Sequence, residues 1–276
     1  MIRQIALKRE QIGEQPLLWA ALTVPFVVFG AWEAVQLWRI IGDQQAIGID
    51  LVFYQEMGRR WLETGAFYGE RQLAGEYETT TLIDNLYPPH AIFLFVPFVF
   101  LPPILWWAIP LAVVAYAVIR LRPQPWSWPL LAIVLALPKS IASVIFGNSD
   151  LWVIAAVAAA VLWGWPAVLA TFKPSLAFFV LIGIKRRRWW IGAAVLALAS
   201  LPFLPLWLQY PAVMLNSNSE FSYSISNVPF VAFPLLAWLV ATDRPPLGGP
   251  VRPLFRALSP IPRGLRVKKG SPDGIG

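Results

Sequence analysis

Long apolar runs alternate with short polar ones over the first 242 residues. Eight apolar segments fall at about 17–41, 90–101, 104–119, 126–146, 151–164, 167–184, 189–208 and 228–242. Most of them approach the roughly 20 residues that a helix needs to cross a bilayer. The runs are continuous rather than alternating, which predicts helices and argues against a membrane β-barrel. The expected fold is therefore all-α, a polytopic transmembrane helical bundle with about eight membrane segments. Segment 90–101 is short, so it either crosses a thin region or dips and returns. Between the first two segments lies a polar stretch, 42–90. Within it, Leu51, Tyr54, Met57, Trp61 and Leu62 recur at three- and four-residue spacings, with Glu56, Arg59, Arg60 and Glu63 between them. That pattern predicts an amphipathic helix over 50–64, lying in the membrane surface. Asp50 falls at its start, where an N-cap belongs, and Gly65 is placed to end it. Tyr87-Pro88-Pro89-His90 closes the stretch, the paired prolines forcing an extended entry into the next segment.

Composition agrees with the pattern. The chain is 58% hydrophobic and only 13% charged, with mean hydropathy +0.60, against about 25% charged in a soluble domain. Fifteen Trp and seven Tyr suit a protein with many interfacial edges. The absence of cysteine excludes disulfides, thiolate metal sites and Cys nucleophiles. A single histidine, His90, excludes a multi-His metal site. No basic stretch is interleaved with aromatics, so nucleic acid is not an expected partner. The N-terminus lacks the small-residue cleavage motif of a signal peptide.

Charge gives an orientation. The net charge is +7, yet stretch 42–90 holds Asp43, Asp50, Glu56, Glu63, Glu70, Glu76, Glu78 and Asp84 against Arg59, Arg60 and Arg71. Basic residues gather instead in the N-terminus, in the cluster 185–188 and after Asp243. The positive-inside rule then puts 43–88 and the base-free loop 209–227 outside and both termini inside. With eight crossings, Arg120 and Arg122 fall on the wrong side. A competing topology makes segment 90–101 re-entrant and 166–184 a broken hairpin, which moves that pair inside. Residues 1–242 form the membrane domain. Residues 243–276, rich in Pro, Gly and base, are expected to be a disordered cytoplasmic tail.

The stretch GIDLVFYQEMGRRWLETGAFY, followed by YPPHAIFLFVPFVFLPP, resembles the family-87 glycosyltransferases, polytopic enzymes of the GT-C superfamily. The turn GNSDLWVIAAV and the run AVLATFKPSLAFFVLIGIKRRRWW resemble the same family in the same order. The resemblance covers about 17–240. It implies a multi-pass plasma-membrane enzyme with its active site on the extracytoplasmic face. It implies transfer of a mannose- or arabinofuranose-class sugar from a polyprenyl-phosphate donor to a lipid-linked or cell-envelope acceptor, with inversion and without a cofactor. The family's catalytic aspartate lies in the first outer loop, where Asp50 matches it. Family members are usually longer, which leaves a truncated, non-catalytic scaffold as an alternative reading.

Each candidate residue has two readings. Asp50 is a general base for the acceptor hydroxyl or a helix cap. No second carboxylate lies within two residues of it, so no DxD metal site is visible. Lys173, between apolar halves, is a point charge for the lipid phosphate or a snorkelling lysine. Arg59 and Arg60 fit headgroup contact on the surface helix, and Lys139 is similar. His90 contacts phosphate or sugar, or is structural. Tyr87, Pro88 and Pro89 shape the loop, and Asn148 is a turn or cap residue. A transporter with a midplane site at helices broken by Pro138 and Pro174 is the remaining alternative.

Overall fold

The computed structural model describes residues 15–42, 47–78, 84–218, 226–242 and 246–247. Among these residues regular structure is all helical, and two isolated bridges, Tyr77 with Ser217 and Pro123 with Ala241, are the nearest approach to a sheet. Helix α1 spans Pro16–Gly42, α2 Ile49–Thr64, α3 Glu70–Ala74, α4 Ile92–Phe95, α5 Pro97–Phe100 and α6 Leu105–Leu121. Then follow α7 Trp128–Ala136, α8 Pro138–Phe146, α9 Asp150–Trp163, α10 Arg187–Ser200, α11 Leu204–Asn216, α12 Val228–Val231 and α13 Phe233–Leu239. Helix α9, DLWVIAAVAAAVLW, is apolar around nearly its whole circumference, as a helix enclosed by others must be. It is the core: Leu151, Val157, Ala158, Ala160 and Val161 are fully buried in it. Helices α6, α12 and α13 pack around it.

Two helices, Pro16–Ile40 and Arg187–Asn216, are long and apolar enough to cross a membrane, or up to four if two bent pairs each count as one. The outer surface of α1 fits a lipid environment, with Leu17, Val27, Val28, Trp32 and Ile40 all exposed. The bend between Pro89–Phe100 and Leu105–Leu121 is 119°. The α4–α5 run lies beneath α2, where Gln55 donates to the Phe98 carbonyl at 2.7 Å. A Cβ on Gly58 would lie 2.9 Å from Val99. The chain then returns to the same level, since Trp106 and Trp107 at the start of α6 donate to the carbonyls of Gly147 and Val144, each at 2.7 Å.

The run 167–184, read from sequence as one segment or as a broken hairpin, is the hairpin. Two tight helical limbs, Trp165–Phe172 and Pro174–Leu181, pack on each other and reverse at Lys173. At about 2.0 Å rise per residue, limbs of eight residues are each roughly 16 Å long. Gly164 and Gly183 close the neck. Both have positive φ, and a Cβ on Gly183 would stand 2.9 Å from the Gly164 Cα. Segment 228–242 is likewise two short helices rather than one.

The ends of these elements sort into two poles. At one, the Thr242 amide donates to the Arg122 carbonyl at 3.2 Å and the Gln124 amide to Val240 at 3.0 Å. The Arg186 guanidinium reaches the Leu247 carbonyl at 3.3 Å. Arg122 and the cluster 185–188 therefore share a pole with the end of α13. At the other pole the Tyr77 amide donates to Asn216 at 2.9 Å, and the Asn218 amide to Tyr77 at 3.0 Å. Tyr77 of the acidic stretch thus packs at the far end of the 30-residue helix Arg187–Asn216, about 45 Å from the basic cluster at its start. The surface helix expected over 50–64 is present as α2, and Gly65 ends it with φ +73° and an amide bond to Trp61 at 2.8 Å. The proposed tail lies outside the described residues apart from 246–247.

Candidate active site

Asp50 is not the cap of α2. Gly48 holds that position in the left-handed conformation, φ +70°, and its carbonyl accepts the Val52 amide at 3.1 Å. A side chain there would meet Trp107, with 3.1 Å left for a Cβ. Asp50 lies two residues on, within the first turn, and its side chain is released for another use. Its Oδ2 accepts the Asn148 amide nitrogen at 2.6 Å, and the two residues are 98 apart in sequence. The opposite side of that amide, Asn148 Oδ1, accepts Lys173 Nζ at 2.9 Å and the Asp150 amide at 3.1 Å.

Lys173 at the hairpin tip also donates to Asp150 Oδ1 at 2.6 Å. Asp150 is fully buried and Lys173 is 8% exposed. Removing both charges from water is tolerable because they pair and because further donors serve the carboxylate. Ser143 Oγ donates to Asp150 Oδ2 at 3.3 Å, and Asn227 Nδ2 donates to the same oxygen. One polar chain therefore runs from Asp50 through Asn148 and Lys173 to Asp150 and Asn227. It links α2, the 147–149 turn, the hairpin tip and the start of α12.

A second chain of hydroxyls lies beside it. Tyr54 Oη is 3.0 Å from Tyr87 Oη, which is 2.8 Å from Ser149 Oγ, and the Ser149 amide donates to Tyr54 at 3.1 Å. The Tyr54 ring stacks on Phe95 with centroids 4.7 Å apart and meets Tyr87 edge-on at 5.5 Å. Burial raises the phenol pKa of both tyrosines. They stay neutral and fix the 147–149 turn against α2. Tyr87 thus belongs to the wall of the site, in keeping with a loop-shaping role.

Asp50 opens on a cavity of about 220 Å³. Ile49, Asp50 and Phe53 line it from α2, and Lys139, Ala142, Ser143 and Phe146 from one face of α8, with Asn148 and Asn227 at the end. Burial raises the Asp50 carboxyl pKa. The Asn148 hydrogen bond and the Lys173 charge pull it back down, and Lys139 acts more weakly in the same direction. Among the described residues Asp50 Oδ1 accepts no hydrogen bond, so one oxygen is held and the other is available. A carboxylate made more basic by burial, with a free oxygen on a cavity, is suited to take a proton from a hydroxyl.

The other expected site residues lie elsewhere. His90 is buried, with Nε2 3.0 Å from Thr171 Oγ1 and its ring stacked on Trp207 at 5.4 Å. It joins the hairpin to α11 and does not line the Asp50 cavity. Arg59 pairs with Glu56 at 3.5 Å on the exposed face of α2. Arg60 donates to the Phe67 carbonyl at 2.6 Å, holding the turn after α2. Neither arginine joins the Asp50 network. Asn148, read as a turn residue, is the central link. Asp150, Ser143 and Asn227 were not singled out from sequence. The signal for Asp150 was its pairing need: a lysine placed mid-span demands a buried counter-ion.

Comparison with protein-family models, with curated proteins and with solved structures finds no match for this chain.

Proposed function

We propose that the protein is an integral membrane glycosyltransferase of GT-C type, in which Asp50 is the general base of an inverting transfer from a polyprenyl-phosphate sugar. The observation that carries this reading is the convergence of separate motifs on one cavity. The starts of GIDLVFY, GNSD and KPS meet in the chain Asp50–Asn148–Lys173–Asp150. The tyrosine of YPPH packs against the same turn. An aspartate tied by one oxygen and open at the other is the arrangement a base needs.

The topology of this reading has six crossings and two re-entrant elements. The crossings are α1, α6, the bent pair α7–α8, α9, the helix Arg187–Asn216, and α12–α13. The α4–α5 run dips from the acidic pole and the Lys173 hairpin from the basic pole. Arg120, Arg122 and 185–188 then all lie on the cytoplasmic side, and the Asp50 cavity opens toward the extracytoplasmic half of the plasma membrane. The acceptor is a lipid-linked or cell-envelope glycan. In-gel or chromatographic detection of sugar transfer from synthetic polyprenyl-phosphate mannose and arabinofuranose, by the purified full chain in lipid nanodiscs, is the direct test. No donor-dependent product with any acceptor extract overturns the enzymatic reading.

A further inference from the structure

A groove on the outside of the bundle carries a chemistry that the Asp50 site does not use. It lies where α10 runs along the first limb of the hairpin. Its volume of about 440 Å³ falls within the ~300–1,000 Å³ common for ligand pockets. Arg188, Ile191, Gly192, Val195, Leu196 and Ala199 line it from α10. Their spacings follow the helical repeat throughout, so they form one stripe along nearly the whole of that helix. Trp165, Val168 and Leu169 of the hairpin limb form the facing wall. Gly192 lets the two walls meet, since a Cβ there would stand 3.2 Å from both the Cβ and the carbonyl oxygen of Trp165.

The groove has a direction. Arg188 is in the first turn of α10, at the pole where Arg186 reaches the Leu247 carbonyl. Phe93 marks the opposite end: it lines the groove, and its ring meets that of Phe203, just past the end of α10, at 5.2 Å. The step from Arg188 to Ala199 is about 16 Å of helix. That is close to the ~15 Å of one leaflet in a bilayer whose hydrocarbon core is ~30 Å thick. The continuous helix Arg187–Asn216 is long and apolar enough to cross a membrane, and Ile191 and Val195 are exposed on it. Lipid is therefore what this face meets.

Of the residues that line the groove, Arg188 alone is charged. It is exposed, and among the described residues its guanidinium makes no hydrogen bond or ion pair. It also stands beside Lys185, Arg186 and Arg187 at the positive end of the α10 dipole, where a cation is disfavoured and an anion is favoured. An apolar channel one leaflet deep, with an unpaired guanidinium at its aqueous end, matches a hydrocarbon chain that carries an anionic headgroup.

We infer that this groove binds an anionic glycerophospholipid of the leaflet at the basic pole, with one acyl chain along the α10 stripe and the phosphate on Arg188. The site is separate from the Asp50 cavity and does not depend on the transferase reading. The bound chain covers the seam between α10 and the hairpin whose tip carries Lys173. The lipid thereby braces the hairpin from outside, as the Lys173–Asp150 pair does from within.

The test is native mass spectrometry of the purified full chain in a neutral detergent. The chain is titrated with dioleoyl phosphatidylglycerol and, separately, with dioleoyl phosphatidylcholine, which share chains and differ in headgroup charge. Wild type is expected to retain one phosphatidylglycerol at concentrations where phosphatidylcholine is not retained. Arg188→Gln should weaken that retention about fivefold or more, and Arg188→Lys should restore most of it. Lys185→Gln takes a charge from the same cluster but not from the groove, so it should bind nearly as wild type does. Val195→Trp fills the groove from an exposed position and should abolish retention with Arg188 intact. Equal losses in Arg188→Gln and Lys185→Gln would reduce the effect to general attraction between a basic face and anionic lipid, and would overturn the site. Unchanged retention in Val195→Trp would overturn the groove as its location. Retention of both lipids alike, or of neither, would overturn the proposal outright. A lipid-free dimer that Val195→Trp dissociates would give the groove to a second copy of the chain. Displacement of phosphatidylglycerol by farnesyl phosphate, one for one and at lower concentration, would give it to a prenyl lipid instead.

Discussion

Asn148 Nδ2 donates to Asp50 Oδ2 at 2.6 Å while its Oδ1 accepts Lys173 Nζ at 2.9 Å. Each face of the amide is fixed by a charged partner that has only one role to offer, acceptor or donor. The amide thus connects the exposed-side carboxylate to the buried ion pair. Truncating it removes the hydrogen bond that lowers the Asp50 pKa, and burial, which raises it, is then less opposed. Asp50 must be ionised to act as a base, so Asn148→Ala should move the acid limb of the kcat/KM profile to higher pH. Activity at the plateau should fall less than activity near the limb. A profile unmoved along the pH axis would show that the amide does not tune Asp50.

The Lys173–Asp150 pair makes a sharper stability prediction. Lys173→Met leaves Asp150 without its cation in a fully buried site. Breaking a buried pair in this way costs about 3–5 kcal/mol. Asp150→Asn combined with Lys173→Met removes both charges, so the double variant should recover a large part of that loss. Thermal unfolding of the three variants in one detergent, read as a double-mutant cycle, measures the coupling. Additive losses would mean that the two side chains do not act as a pair.

Two glycines separate backbone strain from crowding. Gly65 has φ +73° with nothing within 4 Å of a Cβ, whereas Gly183 has φ +79° and faces the Gly164 backbone at 2.9 Å. Gly65→Ala should cost about 1 kcal/mol, the penalty of a left-handed alanine. Gly183→Ala should cost clearly more, because the neck of the Lys173 hairpin must open. The comparison is made by thermal unfolding, and equal losses would argue that the neck is not tightly closed.

Much of this fold was legible in the sequence, and the exceptions have physical causes. The surface helix was readable because Leu51, Tyr54 and Met57 keep helical spacing and Gly65 supplies the left-handed stop. Its cap was misread because Asp is a common N-cap, whereas Gly48 takes the position by adopting a positive φ that leaves Asp50 free. The Lys173 hairpin was only half legible. Its two limbs are apolar and unbroken in pattern, so periodicity alone gave one span, and the mid-run Lys-Pro was the sole mark of a reversal. The ion-pair partner was missed because Asp150 sits in a turn motif, GNSD, that reads as punctuation. Contacts such as Asn227 with Asp150 join residues 77 apart in sequence, and no local pattern encodes them.

Charge at the two poles gives a prediction about topology. The chain has no cysteine, so single Cys substitutions report cleanly. Arg122→Cys and Glu78→Cys should be labelled from opposite faces of oriented membranes, because Arg122 shares a pole with Thr242 and Tyr77 shares the other with Asn216. Eight crossings would put both on the same face. Labelling of both sites from one side would therefore restore the eight-span arrangement and remove the two re-entrant elements.

The decisive variant is Asp50→Asn. The substitution keeps the size of the side chain and removes its capacity to take a proton. The cap of α2 is Gly48, so Asp50→Asn leaves the helix start intact, and its amide can still meet Asn148 after a rotation. If Asp50 is the general base, turnover should fall by about 10²–10⁴-fold, the range for a positioned acid–base group. KM for the lipid donor should change much less, since the substitution removes a base and no cation. Asp50→Glu tests placement separately: the carboxylate returns but one methylene further out, so partial activity is expected. Steady-state kinetics with a synthetic polyprenyl-phosphate sugar, on samples matched for monodispersity, reads all three proteins. An Asp50→Asn enzyme with near wild-type turnover would remove Asp50 from the chemistry and leave the buried Asn148 network a purely structural link between the surface helix and the hairpin.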